Sequence, residues 1–293
     1  MTETRSFEKA PATLPLMVKA ALPALPLIGS LPGVKHQRGG APDLVLTRDG
    51  VVTDPEHLEA YRDNCGFPRT DAVPVTYPHM AAFGLHMSLM TDTAFPFAPM
   101  GLVHLRNSIT QHRPISADEA LDVKVHAADL RPHPKGRLID ILTEVKADGD
   151  VVWTETMTLF SRGKGGAAEE TAAPLEGVDA PKGVVHWKLD GGLGRRYGAI
   201  SGDRNPIHLY PITAKAFGFP SNIAHGMWTK ARCLAALQNK LPDAFTVDVE
   251  FRKPILLPGS VVFGTEIIGD TITFGVVGAR KPSTHLVGRV TAL

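Results

Sequence analysis

The chain has 293 residues, of which 43% are hydrophobic and 21% charged, the composition of a folded globular protein with room for one large domain or two small ones. Its 31 Lys and Arg against 30 Asp and Glu leave a formal charge of +1, without the basic excess that gripping a phosphate backbone demands, which argues against a dedicated nucleic-acid binder. The two cysteines, Cys65 and Cys233, have no neighbouring thiols, so a disulfide framework and a cysteine-rich zinc site are both ruled out and a reducing cytoplasm fits best.

The first segment is an apolar stretch from Leu14 to Val34, broken by Pro15, Pro23, Pro26 and Pro32 and carrying Lys19. No uninterrupted run approaches the ~20 apolar residues of a spanning helix, and the segment does not read as an export signal. It reads as a proline-rich surface arm over residues 1–45. Leu14, Leu16, Met17 and Leu22 are its candidates for a peripheral membrane contact.

Two similar modules follow. In the first, a helix from His79 to Met90 precedes four strand-like segments: GLVHLRNSITQHRPI, ALDVKVHAADL, GRLIDILTEVKA and DVVWTETMTLFSR. In the second, Ile223, Met227, Ala231, Leu234 and Leu237 recur at steps of three and four, which predicts a helix over Ile223 to Lys240. Its four strands begin at Thr246, Ser260, Thr271 and Thr284 and are rich in β-branched residues. The punctuation repeats too, QHRPI at Gln111 answering FRKPI at Phe251.

Between the modules, Gly163 to Gly183 is rich in Gly, Ala, Glu and Pro, a linker composition. The expected organisation is therefore an N-terminal module over 46–165, a linker over 166–183 and a C-terminal module over 184–293. A long helix beside one antiparallel run of strands makes each an α+β unit whose sheet wraps the helix. Two in tandem can form an internal pseudo-dimer.

The modules differ between their first strand and their helix. The second reads RRYGAISGDRNPIHLYPITAKAFGFPSNIAHGMW from Arg195 to Trp228, whereas the first has only YRDNCGFPRTDAVPVTYPHM from Tyr61 to Met80, without an Asp followed five residues later by His. Ser201, Gly202, Asp203, Arg204 and Asn205 form a polar turn, and Asn205 before Pro206 matches a helix N-cap with proline in the first helical position. Pro211 forces the helix to restart, and Gly218 ends it. Asp203 and His208 thus lie off any single regular helix, on a turn that points a carboxylate and an imidazole into one space, a pair suited to general acid–base work on water.

The second element is Ala224, His225 and Gly226 at the start of the long helix. Backbone N–H groups there lack helical partners and face the positive end of the helix dipole, a place for developing negative charge. Two readings of Gly226 stand side by side: an oxyanion donor, or close packing against the sheet.

The string YGAISGDRNPIH, with AFGF and IAHGMW downstream and FRKPILLPG later, resembles the hydratase motif of the MaoC-like, hot-dog-fold dehydratases, the (R)-specific 2-enoyl-CoA hydratases. The match is strong from Tyr197 to Gly259, and the repeat extends it over most of the chain. The resemblance implies a double hot-dog fold whose C-terminal half is catalytic and whose degenerate N-terminal half makes room for the acyl chain. It makes Asp203 and His208 the catalytic pair, the Gly226 N–H the oxyanion donor, and Ser201, Gly202 and Asn205 the residues that shape and orient the turn. The implied reaction is reversible syn addition of water to a trans-2-enoyl thioester, giving a (3R)-3-hydroxyacyl thioester. Many relatives carry an acidic residue two positions after the histidine, where this chain has Tyr210.

No separate cofactor is expected, since coenzyme A or the pantetheine of an acyl carrier protein arrives with the substrate. Arg195, Arg196, Arg204 and Lys230 are the candidates to meet its phosphates, and a homodimer is a further expected partner state. His225 is expected to donate to a backbone carbonyl, Cys233 to be a buried apolar residue, and Tyr197 and Trp228 to pack against the sheet. His79, His86 and His104 carry no usable spacing. Three competing functions remain: a metal site on Asp203, His208 and His225, an acyl-thioesterase, and a non-catalytic acyl-binding subunit.

Overall fold

The computed structural model describes residues 2–21, 39–167, 175 and 177–293. In chain order the elements are β1 (Glu3–Ser6), α1 (Thr13–Ala21), β2 (Leu44–Val51), α2 (Pro55–Cys65), α3 (Pro78–Met90), β3 (Leu102–Gln111), β4 (Leu121–His133), β5 (Gly136–Ala147) and β6 (Asp150–Arg162). There follow β7 (Gly183–Leu189), α4 (Leu193–Ser201), α5 (Pro206–Leu209), α6 (Pro211–Ala216), α7 (Gly226–Leu237), β8 (Phe245–Phe251), β9 (Gly259–Ile268), β10 (Thr271–Gly278) and β11 (Thr284–Ala292). All eight expected strands and both expected long helices are present. α7 starts three residues later than the periodicity suggested, because Ala224 is held by a hydrogen bond from its N–H to the Ile255 carbonyl (2.9 Å) and His225 is extended (φ −68°, ψ 139°).

The chain forms two compact units that are interleaved in sequence: residues 1–52, 78–105 and 119–171 in one, 53–77, 106–118 and 172–293 in the other. In the first, β2, β4, β5 and β6 pair antiparallel in that order and β1 adds to β2 in parallel. α3 is apolar on nearly every face, PHMAAFGLHMSLM, and is buried along almost its whole length. Such a helix needs cover on all sides. The N-terminal segment supplies part of it, since a side chain on Gly84 would lie 2.9 Å from the Pro11 carbonyl oxygen.

The expected surface arm is therefore tied down over its first part. Glu3–Ser6 pair with Leu44–Thr47, and Arg5 makes an ion pair with Asp92 at 2.7 Å. α1 buries Ala20 and exposes Leu14, a candidate for membrane contact; Leu22, another candidate, lies outside the described residues, as do 22–38 generally. Among the described residues no helix is long and apolar enough to cross a membrane.

In the second unit the antiparallel order is β3, β8, β11, β10, β9, β7, with β3 contributing its residues 106–111. α7 buries Met227, Trp228, Ala231, Cys233, Leu234 and Leu237, and the strands of this unit bury Val247, Val249, Phe274 and Val290. α2 was not anticipated. Its caps were legible all the same: the Asp54 side chain accepts from the N–H groups of Glu56 and His57, Pro55 opens the helix, and Gly66 closes it in the left-handed region (φ 79°). The linker's end is pinned by Arg252, whose guanidinium donates to the Val178 carbonyl at 2.7 Å.

Candidate active site

The site is built on the turn that follows α4. Gly202, in the left-handed conformation (φ 78°), closes α4 and reverses the chain. The Ser201 hydroxyl accepts from the Asp203 N–H (3.2 Å), and the Asp203 carboxylate accepts from the Asn205 N–H (3.1 Å). Asn205 caps α5 by accepting from the Ile207 N–H, with Pro206 next, and Pro211 restarts the chain as α6. Two glycines on one face of α4 let this turn lie directly on the helix. A side chain on Gly194 would sit 2.0 Å from the His208 carbonyl oxygen, and one on Gly198 would sit 2.7 Å from that of Asp203.

His208 is buried with its orientation fixed. Its Nδ1–H donates to the Ile223 carbonyl (2.9 Å), and because a carbonyl can only accept, the neutral ring presents a bare Nε2. That atom lies 4.0 Å from Asp203 Oδ2. The backbone behind His208 is held by the buried amide of Asn222, which donates to the His208 and Gly191 carbonyls. Burial lowers the imidazole pKa, and the Asp203 carboxylate opposes that shift. The result is a neutral base beside a negative charge able to stabilise its protonated form.

His225, the N-cap of α7, donates from Nε2 to the Asp203 carbonyl (2.9 Å), the role expected for it. It also stacks on His208, with ring centroids 3.7 Å apart and planes 24° apart, and its Nε2 lies 3.8 Å from the Asp203 carboxylate. Its pKa is pushed down to about 3, by burial first and by His208 second. Gly226 is the first residue of α7, so its N–H has no partner within the helix. A side chain there would meet the Phe251 ring at 3.1 Å, so the helix start is also closely packed on β8.

Among the described residues, Asp203, His208 and His225 are one of two groups whose donor atoms lie close enough to hold a metal ion. Their arrangement suits hydrogen bonding better. The His225 Nε2 proton is committed to the Asp203 carbonyl, and imidazoles stacked face to face direct their in-plane lone pairs along parallel lines instead of onto one ion. The second group is His79, His86 and Glu155, in the other unit. There His79 Nδ1 donates to both Glu155 oxygens at 2.9 Å and His86 Nε2 bonds the Thr143 hydroxyl at 2.8 Å, so a closed polar network already uses the facing atoms. The seven-residue spacing of the two histidines on α3 places them on one helix face, a signal the sequence carried unused.

The proposed phosphate contacts fare differently from one another. Arg204 is exposed. Arg195 lies over the Tyr210 ring (4.9 Å) and donates to the Leu209 carbonyl, and Arg196 is held by Asp190 at 2.6 Å. Lys230 is corrected outright: it is fully buried, donating from Nζ to Asn107 Oδ1 (2.6 Å) and to the carbonyls of Asn107 and Val247. A lysine in mid-helix reads as solvated, but this one faces the sheet and spends its charge joining β3 to β8. Trp228 is buried and donates to the Asn64 carbonyl of α2, Tyr197 is buried beside His225, and both cysteines are buried.

A long helix cradled by an antiparallel sheet, with an Asp–His turn at the helix start, defines a hot-dog hydro-lyase. The family model described as "MaoC like domain" matches residues 188–285. Over 251 residues the chain is 38% identical to 3-hydroxyacyl-thioester dehydratase X of Mycobacterium tuberculosis, an alignment spanning 85% of this chain and 87% of that one. The crystal structure of HtdX from that organism superposes with a TM-score of 0.76 at 36% identity, covering 85% of this chain and 100% of the other. Another protein of that organism, described as a double hot-dog fold, matches at a TM-score of 0.53 and 14% identity, over 87% of this chain and 96% of its own, which shows the fold alone. The chain belongs to the MaoC-like dehydratase family, in its double hot-dog form.

Proposed function

We propose that the chain catalyses the reversible hydration of trans-2-enoyl thioesters to (3R)-3-hydroxyacyl thioesters in fatty-acid metabolism, with Asp203 and His208 as the catalytic pair. The observation that carries this reading is the 4.0 Å gap between Asp203 Oδ2 and the bare Nε2 of buried His208. One water oxygen fits within hydrogen-bond reach of both atoms. Asp203 accepts one hydrogen of that water, and His208 Nε2 takes the other as the water oxygen attacks C3. Electron density moves through C2 onto the thioester oxygen, where the Gly226 N–H donates to it, a contact worth about 3 kcal/mol if preorganised. The His208 imidazolium returns its proton to C2 on the same face, so the hydroxyl and hydrogen of one water add syn and the base is regenerated. Burial that disfavours the imidazolium keeps His208 in its neutral, proton-accepting form at neutral pH.

The same reading makes the thioester carrier coenzyme A or an acyl carrier protein, with Arg195, Arg196 and Arg204 as the remaining candidates for its phosphates and no separate cofactor. The buried, unpaired state of Cys65 and Cys233 supports a cytoplasmic protein. A homodimer is the assembly to be tested by light scattering. The decisive experiment mixes purified protein with trans-2-enoyl-CoA of short and long chain, following loss of the conjugated enoyl absorbance, thiol release and product stereochemistry. Rapid loss giving the (3R)-alcohol, with Asp203→Asn and His208→Asn each lowering turnover by orders of magnitude in a folded protein, is the expected result. Near-wild-type turnover in either variant removes that residue from the mechanism, and thiol release without hydration makes the chain a thioesterase.

A further inference from the structure

The first half of the chain sends the segment 53–77 into the unit that carries the Asp–His turn, and its helix α2 meets that turn through one histidine. His57 Nε2 bonds the Ile200 carbonyl at 2.8 Å, and His57 Nδ1 bonds the Tyr77 hydroxyl at 2.9 Å. A carbonyl only accepts, so Nε2 carries the proton, Nδ1 of the neutral ring is bare, and the Tyr77 O–H donates to it. Tyr77 is buried, and burial pushes its phenol up to about 12, so that donor stays in place across the neutral range.

Ile200 is the penultimate residue of α4. Its carbonyl is one of the last four, which an α-helix leaves without a partner of its own, and helix ends held by nothing fray. Only Ser201 and left-handed Gly202 separate it from Asp203. Tyr61, one turn beyond His57 on the same helix face, supports the other side of the site. Its hydroxyl donates to Thr76, its ring lies 6.4 Å from that of Tyr197, and Tyr197 lies 4.9 Å from His225.

We propose that His57, oriented by Tyr77, is a positioning residue for the hydration: it clamps the end of α4 through the Ile200 carbonyl and so fixes where the Asp203 carboxylate stands. The inference rests on the hydratase reading. It gives the degenerate first half an indirect part in catalysis, across 143 residues of sequence, without any contact to substrate.

The test is steady-state hydration of trans-2-enoyl-CoA by the full chain carrying His57→Ala, His57→Gln or Tyr77→Phe. Because displacing a catalytic group by about 1 Å costs on the order of 100-fold, His57→Ala is expected to lower kcat by roughly 10- to 100-fold with KM within about twofold. Glutamine, whose amide can donate to the Ile200 carbonyl, restores most of kcat, and Tyr77→Phe, which frees the ring to turn, lowers kcat by a smaller factor. Folded His57→Ala with wild-type kcat, a loss confined to KM, or glutamine no better than alanine overturns the proposal. Should His57→Ala fail to fold, Tyr77→Phe decides it, a wild-type kcat counting against. Wild-type protein that does not hydrate any enoyl thioester overturns the hydratase reading and this inference with it, whereas an active wild type with indifferent variants overturns this inference alone.

Discussion

Gly198→Ala tests how the Asp–His turn is held. A methyl at this position falls 2.7 Å from the Asp203 carbonyl oxygen, about 0.7 Å short of the ~3.4 Å at which ordinary van der Waals contact begins. The obstructing atom is backbone, so it has no rotamer to change, and the turn itself must withdraw. Asp203 O also accepts from His225 Nε2 at 2.9 Å, so an equal withdrawal stretches that bond to about 3.6 Å, beyond hydrogen-bonding range. The stability terms nearly cancel: alanine gains ~1 kcal/mol over glycine inside a helix, and the overpacking costs about 1–3 kcal/mol. Catalysis has no such offset, since the carboxylate moves with its backbone and a ~1 Å misplacement costs on the order of 100-fold. The expected variant melts within a few degrees of wild type by circular dichroism yet hydrates trans-2-enoyl-CoA with kcat down roughly 10- to 100-fold. A kcat within twofold of wild type would show that the turn does not depend on contact with the α4 face, and would refute this account of why glycine stands there.

Two other outcomes are expected. Lys230→Met keeps the side chain's bulk but strips Asn107 Oδ1 and the Val247 carbonyl of a charged donor, so urea denaturation should show a loss of about 2–3 kcal/mol. The KM for enoyl-CoA and its salt dependence should stay unchanged, whereas a salt-sensitive rise in KM would return Lys230 to phosphate binding. Acid should weaken the fold through His86 and His225, both pushed down to about 3 chiefly by burial. A folded pKa below the ordinary 6.5 means that the unfolded chain binds the proton first, so their stabilisation is present above pH 6.5 and lost as pH falls toward 3. Each contributes a slope of about 1.4 kcal/mol per pH unit in that window. Denaturation midpoints should fall accordingly, and His86→Gln should flatten the slope; an unchanged slope would contradict neutral burial of that ring.

The strands and the long helices were legible because alternating and three-to-four-residue periodicities are local properties, set by which face of an element is buried. β5 and β6 coincide with their expected segments end to end. The polar turn was legible for a similar reason, since Asn205–Pro206, Pro211 and Gly218 act on their own backbone. α2 was missed although Asp54, Pro55 and Gly66 mark its ends and its buried Leu58, Tyr61 and Cys65 recur at steps of three and four, because most of its other residues are polar and Arg62 stands among the buried ones. His57, Tyr61 and Asn222 were missed because nothing local distinguishes a histidine, tyrosine or asparagine that supports a site from one in solvent.

The sequence by itself determined the helix and four strands of each module, the duplication, the membership of a hydratase-like family and the Asp203–His208 spacing, each read from local patterns and their recurrence. Tertiary structure alone decided that residues 53–77 pack with the second half, that His225 stacks on His208, that Lys230 faces the sheet, and that His79, His86 and Glu155 share one buried network. These are contacts between residues far apart in the chain. Whether a polar side chain ends in water, in an ion pair or against a carbonyl depends on which distant backbone meets it, and no periodicity encodes that meeting.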